Sequence, residues 1–338
     1  VPGNKLAALG GGIILFLLPS LIFSYSAKGL SLSYSVSDNL YLFDAKESGS
    51  IVTLSPFLEY SQLFDVEWSG NFYIINFNTD NLFLENDLSI HKHLYLAGAG
   101  NKNSAYLRLY NLFTPSFDLY RYTTVSAGDS VNFYLLNRFL FAPEIRLQYR
   151  TFGTDSMPDY LEPYAKSALS IPLPYFFLIP GAGLGVKLYE NETLPFHRIF
   201  TRFSFPLSMN LSLEASVMYY HCASSDGAPP IALPMIDEPF YEEESLEELT
   251  SATLVMKKLF QRNRIAIDIR CHAFNKHFFP VEALTRTDSG ASIHLLLTKM
   301  IDPRSSISVS FESLLNSSTF DDFDYTRNSI GIQFNLLY

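Results

Sequence analysis

Ser329-Ile330-Gly331-Ile332-Gln333-Phe334-Asn335-Leu336-Leu337-Tyr338 is the last stretch of the sequence, and its reading decides the fold. Ile330, Ile332, Phe334, Leu336 and Tyr338 alternate with Ser329, Gly331, Gln333 and Asn335. A period of two sends successive side chains to opposite faces of a strand, so this stretch has one apolar and one polar face. The pattern recurs upstream. Leu30, Leu32, Tyr34 and Val36 alternate with Ser31, Ser33 and Ser35; Leu211, Leu213, Ala215, Val217 and Tyr219 with Ser212, Glu214 and Ser216. Ile265, Ile267 and Ile269 alternate with Arg264, Asp268 and Arg270, and Ile307, Val309 and Phe311 with Ser306, Ser308, Ser310 and Glu312. Past residue 27 the dominant period is two, not that of a helix.

A soluble sandwich alternates in the same way, with its apolar face inward. Length separates the two cases. Strands of soluble proteins cluster near 5–6 residues, whereas a membrane-crossing strand needs about 9–11. The runs here are long: 30–43, 51–60, 64–76, 82–94, 104–113, 119–135, 139–151, 160–171 and 175–189, then 196–207, 210–222, 249–259, 262–275, 285–299, 304–315 and 325–338. Short links near Ser61-Gln62, Asn137-Arg138, Ser208-Met209, Gln261 and Asp302-Pro303 alternate with longer polar ones at 44–50, 77–81, 152–159, 190–195, 223–248, 276–284 and 316–324. Tight turns on one side and longer loops on the other are the habit of outer-membrane barrels. The expected fold class is all-β: a single transmembrane antiparallel up-and-down barrel of about sixteen strands, with about fourteen as the alternative. The weakest strands are 119–135 and 249–259; Leu246, Leu249, Met256, Leu259 and Phe260 could equally line one face of a helix.

Composition agrees. Of 338 residues, 48% are hydrophobic and only 17% charged, with 29 Phe and 21 Tyr but one Trp. That excludes a disordered chain, which needs low hydrophobicity and high charge. Two Cys exclude a disulfide scaffold. A net charge of −10 argues against a nucleic-acid partner. A helical membrane bundle needs several apolar runs of about 20 residues, and the only one is N-terminal. There Lys5, the core Ile13–Leu18 with Leu21-Ile22-Phe23, and the small residues around Ser24-Tyr25-Ser26 form a secretory signal pattern. The expected organisation is a signal peptide at 1–26 and a barrel at 27–338. Closure lets every backbone group pair inside lipid without an edge.

The stretch Tyr325 to Tyr338 resembles the last strand of bacterial outer-membrane β-barrel proteins, which ends in an aromatic residue preceded by alternating apolar ones. Here Ile330, Ile332, Phe334, Leu336 and Tyr338 fill those positions. The segment from Tyr34 to Tyr60 also looks like the opening strands of such proteins. The whole resembles porin-sized barrels without a defined substrate. The resemblance implies outer-membrane lipid surroundings and recognition of the last strand by barrel-assembly machinery. It does not imply an activity or an oligomeric state.

Function is expected on the inward face. Alternation places Arg108, Glu144, Arg146, Arg150, Lys187, Arg198, Arg202, Glu214, Arg264, Asp268, Arg270 and Glu312 there. Charges of both signs around water would orient polar solutes and bias ion choice; alternatively they pair across the lumen and brace a closed barrel. The longest link, 223–248, carries Asp237, Glu238, Glu242, Glu243, Glu244, Glu247 and Glu248. These acids read as a solvated external loop, or as carboxylates for Ca²⁺ or Mg²⁺, without EF-hand spacing. His91 and His93 share a face, but no third metal ligand is visible. Gly181-Ala182-Gly183-Leu184-Gly185 lacks the Lys-Ser/Thr of a phosphate loop and reads as room for neighbours inside a strand. Cys222 and Cys271 lie two strands apart, roughly 9–10 Å, too far for a bridge, and read as packing residues. No Gly-x-Ser-x-Gly elbow is present. Asp226 near His221 and Asp288 near His294 are the only pairs offered to a protease-type site, without a signature. No cofactor and no enzymatic activity are expected. The leading expectation is a porin-like channel for passive passage of small hydrophilic solutes. A structural or adhesive barrel with a blocked lumen comes next, and an outer-membrane hydrolase third.

Overall fold

The computed structural model describes residues 27–38, 48–61, 64–76, 82–96, 101–113, 122–136, 138–153, 159–223, 246–279, 285–320 and 323–337. The expected signal peptide, the acids Asp237, Glu238, Glu242, Glu243 and Glu244, and Tyr338 lie outside these residues.

Sixteen strands follow in order. The first four are β1 (Ala27–Ser37), β2 (Gly49–Ser61), β3 (Asp65–Ile75) and β4 (Leu82–Leu96). Next come β5 (Asn101–Phe113), β6 (Tyr122–Leu135), β7 (Phe139–Phe152) and β8 (Tyr160–Pro172). Then follow β9 (Phe177–Leu188), β10 (Thr193–Ser208), β11 (Leu211–Cys222) and β12 (Leu246–Phe260). The last four are β13 (Ile265–Phe278), β14 (Thr287–Asp302), β15 (Ser305–Ser318) and β16 (Tyr325–Leu337). Each pairs antiparallel with its chain neighbours, and β1 pairs with β16, closing the sheet into one barrel. Both uncertain stretches are strands, β6 and β12. The helical spacing in β12 gives way because β11 and β13 each need a partner along their full length, and in lipid an unpaired backbone group costs several kcal/mol.

The closing seam shows why alternation dictates the faces. Leu32 faces Phe334 and Tyr34 faces Ile332, while Ser33 faces Gln333 and Ser31 faces Asn335. Residues opposite one another share a face, so the apolar set lies outside and the polar set inside. Leu32, Ile145, Leu184 and Ile332 are among the most exposed aliphatic side chains. Gln333 Nε2 donates to Ser31 Oγ at 2.8 Å, bonding across the seam inside the barrel. Two outward lysines lie against rings near strand ends: Lys92, with its ammonium 4.9 Å from the Phe64 ring, and Lys258, 5.6 Å from the Phe260 ring. Long amphipathic stems suit such interfacial positions.

The strand ends sort the links by length. Those on the side of the chain's first strand start include Met209-Asn210 and Pro303-Arg304; those on the opposite side include residues 38–48 and 223–245. Two placements differ from the sequence reading. Glu247 and Glu248 belong to β12, not to the loop before it: Glu248 faces His221 on β11 and His277 on β13. An outward carboxylate is tolerated there because this is the rim, flanked by imidazoles. Arg264 lies in the turn after a 3-10 segment, Gln261–Asn263, with φ 53°, and not on the inner wall. Its N–H donates to Gln261 O at 3.2 Å, which ends the turn before β13 begins.

Candidate pore lining

Inward positions follow from the register. Arg108 on β5 faces Ser126 on β6, which faces Gln148 on β7, and that faces Glu162 on β8. This row is the polar partner of the outward row Leu107, Ala127, Leu147 and Pro163. Eleven of the twelve charged positions expected inside fall on inward rows, Arg264 being the exception.

Neighbouring strands bring many of these charges together in pairs. Arg108 Nε donates to Asp87 Oδ1 at 2.8 Å. Arg146 binds Glu162 at 2.6 Å, and Lys166 binds Glu144 at 2.8 Å. Glu144 also accepts from the Tyr106 hydroxyl at 3.2 Å. Arg327 binds Glu312 at 2.8 Å, and Lys257 lies 3.8 Å from Asp268. Asp87, Glu162, Lys166, Lys257 and Arg327 were not among the expected lining residues. The signal that would have found Asp87 was present: Glu85, Asp87 and Ser89 alternate with Leu84, Leu88 and Ile90.

A second set of cations lies against rings. Arg146 sits 5.0 Å from the Tyr164 ring centre, and Arg150 sits 5.0 Å from Tyr122 and 5.8 Å from Tyr160. Lys187 lies 5.7 Å from Tyr160, and Arg198 lies 5.2 Å from Tyr220. Such stacking helps to hold a cation in place on the inner wall. Arg150 Nε also donates to Thr124 Oγ1 at 3.2 Å. Arg202 faces Ser216, Glu214 faces Ser204 and Val255, and Arg270 faces Val255 and His294. The rings continue into a buried cluster at the long-loop end, including Phe152, Tyr160, Tyr189, Leu194, Phe196 and Tyr220. Aromatic packing inside the lumen is the feature the sequence reading missed.

The glycines of β9 make that packing possible. A Cβ on Gly181, Gly183 or Gly185 would lie 2.2–2.3 Å from Phe200, Tyr164 or Phe196 respectively. All three glycines face inward, so the rings lie flat on bare backbone. Glu85 on β4 accepts from the Tyr73 and Tyr110 hydroxyls at 2.6 Å each and from Asn71 at 2.8 Å. Along the inner faces of β3–β7 lies a cavity of about 640 Å³, bounded by Glu67, Asp87, Arg108, Glu144, Arg146, Arg150 and Tyr122 among others. Charges of both signs around one cavity set up a field within it.

The long-loop end of β13–β16 is pinned. Arg286 lies between the rings of Phe278 and Phe323, 4.4 and 3.6 Å from their centres, and forms a two-pronged ion pair with Asp288. Ser318 Oγ donates to the same carboxylate at 2.6 Å. Asp288 is therefore a structural partner of Arg286, not of His294. His91 and His93 do share the inner face, with ring centres 6.2 Å apart, and His93 reaches Asp65 at 3.1 Å. Among the described residues, no three His, Cys, Asp or Glu side chains are arranged to hold a metal ion. Cys222 and Cys271 are free; they face inward and outward respectively, which forbids a bridge.

No family model and no curated protein sequence matches the chain. Solved structures do. OccAB3 of Acinetobacter baumannii is 9% identical, with a TM-score of 0.52 over 92% of this chain and 99% of that one. A bacterial polysaccharide outer membrane secretin is 8% identical, with a TM-score of 0.51 over 94% and 100%. OpdK of Pseudomonas aeruginosa, solved with vanillate, is 11% identical, with a TM-score of 0.50 over 93% and 100%. In fold, the chain is a sixteen-stranded outer-membrane β-barrel that resembles the Occ channels and is distant from them in sequence.

Proposed function

We propose that this barrel sits in the bacterial outer membrane and passes small hydrophilic solutes passively, favouring those that carry a negative charge. The observation that supports this is the inner wall of β6–β11, where Arg146, Arg150 and Arg198 lie against the rings of Tyr164, Tyr122 and Tyr220. A cation seated on a ring can bind a passing anion weakly and release it, which conduction requires. The acids Glu67 and Asp87 on the same lining would orient a solute by its charges as it crosses the cavity. A small planar carboxylate suits such a wall, and OpdK, a fold relative, was solved with vanillate. The mechanism is diffusion, with no chemistry on the solute. Export by a signal peptide at 1–26 and insertion by assembly machinery reading β16 belong to this proposal.

The test is single-channel conductance of the refolded protein in a planar bilayer under a salt gradient. Stepwise openings with a reversal potential on the anion side are expected. Replacing Arg150 and Arg198 together by Gln should move that potential toward the cation side. A barrel that inserts and stays silent would favour the second reading, a closed structural barrel. The buried ring cluster and the Arg286–Asp288 pin at the mouth support that reading.

A further inference from the structure

The outward face of β10–β13 carries a row of groups that conduction does not use. His197 faces His221, His221 faces Glu248, and Glu248 faces His277 across successive strands. Their outward orientation follows from Ile199 and Val217, which share their parity and are exposed to the surroundings of the barrel. The row lies at the long-loop rim: His221 is the residue before the end of β11, and Glu248 is the third of β12. Below it the outward positions turn apolar, through Val217 and Ala252 to Leu254. The row therefore sits at the level of lipid headgroups, within reach of water and ions from outside.

We propose that His197 and His221 form a two-imidazole chelating site for a borderline divalent cation such as Zn²⁺ or Ni²⁺. The two rings are directly opposite in register, with centres 5.4 Å apart. A metal bonded at about 2.0–2.1 Å to one nitrogen of each ring sets the centres roughly 5 Å apart. Among the described residues no hydrogen bond engages a ring nitrogen of either histidine, and Nδ1 of His221 is buried without a partner. Among the described residues, the His197 ring packs against the rings of Tyr219 and His221. Donor nitrogens left without hydrogen bonds at a wet rim are free to take a metal. Imidazole selects Zn²⁺, Ni²⁺ and Cu²⁺ over Ca²⁺ and Mg²⁺, which want oxygen ligands. The protein supplies two ligands and water completes the shell. Bound metal would cross-link β10 to β11 where the longest link leaves the barrel.

The proposal is independent of solute passage and is tested without it. Tag-free full-length barrel in detergent is titrated with Zn²⁺ against a chromophoric chelator. One Zn²⁺ per chain is expected, undiminished by a hundredfold excess of Mg²⁺. H197A and H221A should each weaken binding at least tenfold, while H91A leaves it unchanged. Heat unfolding of the wild type, read as the shift between folded and unfolded gel mobility, should move upward with Zn²⁺, so the answer does not depend on variants that fail to fold. Absence of stoichiometric binding overturns the site, as does retention of full affinity in H197A and H221A. Loss of binding in H91A alone would move the site to the inner pair, and displacement by Mg²⁺ would assign the metal to carboxylates instead.

Discussion

Single residues decide how the lumen is filled. Gly183 is the clearest case, because its missing side chain leaves the space that the Tyr164 ring occupies. That ring cannot step aside freely, since Phe196 stacks on it at 5.7 Å and Arg146 lies 5.0 Å from its centre. Gly183→Val is therefore expected to cost about 1–3 kcal/mol, as overpacking does, read as a lower urea midpoint of the refolded barrel. Arg286 is the second case. Its partner Asp288 is 2% exposed, so removing the guanidinium strands a buried carboxylate. Arg286→Leu should destabilise by about 3–5 kcal/mol. The same midpoint should fall, while an outward rim change such as Lys258→Gln should barely move it.

At the scale of a strand, register is what turns alternation into a barrel. Leu32 and Ser33 are adjacent on β1, yet Leu32 faces Phe334 outside and Ser33 faces Gln333 inside. An Arg facing lipid at the midplane costs about 2–4 kcal/mol, whereas an Arg facing the aqueous lumen keeps its hydration. Leu32→Arg should lower stability by that amount and Ser33→Arg by well under 1 kcal/mol, in parallel unfolding series in lipid vesicles. A larger loss for Ser33→Arg than for Leu32→Arg would mean that β1 is paired one residue out of register, since such a slip exchanges the faces. β12 makes the complementary point. Its spacing of Leu246, Leu249, Met256 and Leu259 suits a helix as well as a strand. What makes it a strand is the demand of β11 and β13 for backbone partners. Its sequence alone leaves that choice open.

For the whole molecule, closure matters more than any link. β11 and β12 are paired from Leu211 with Lys258 up to His221 with Glu248. Replacing 224–245 by a four-residue turn should therefore leave a folded barrel, checked by strand content in circular dichroism and by retained folded mobility on an unheated gel. Loop length adds little to closure entropy, so no large stability change is expected. A change in conductance with the barrel intact would place that link over the pore. The ion pairs of the charged wall join β4 to β5 and β7 to β8, each within one hairpin, and closure brings these hairpins around one lumen.

The sequence by itself determined the architecture. Period-two alternation in long runs, with short and long links in turn, permits little other than a closed membrane barrel, because lipid forbids an unpaired strand edge. It also placed eleven of the expected charges on the inner face, since parity along a strand is a local property. Tertiary structure decided everything that depends on which strands are neighbours. Arg108 meets Asp87, and Arg146 meets Glu162, through pairings fixed by register. The rings over Gly181, Gly183 and Gly185 come from β8 and β10, on either side of β9. His197 and His221 stand 24 positions apart in the chain and face each other only once β10 and β11 pair. Alternation tells a side chain which way to face; register alone tells it what it will meet.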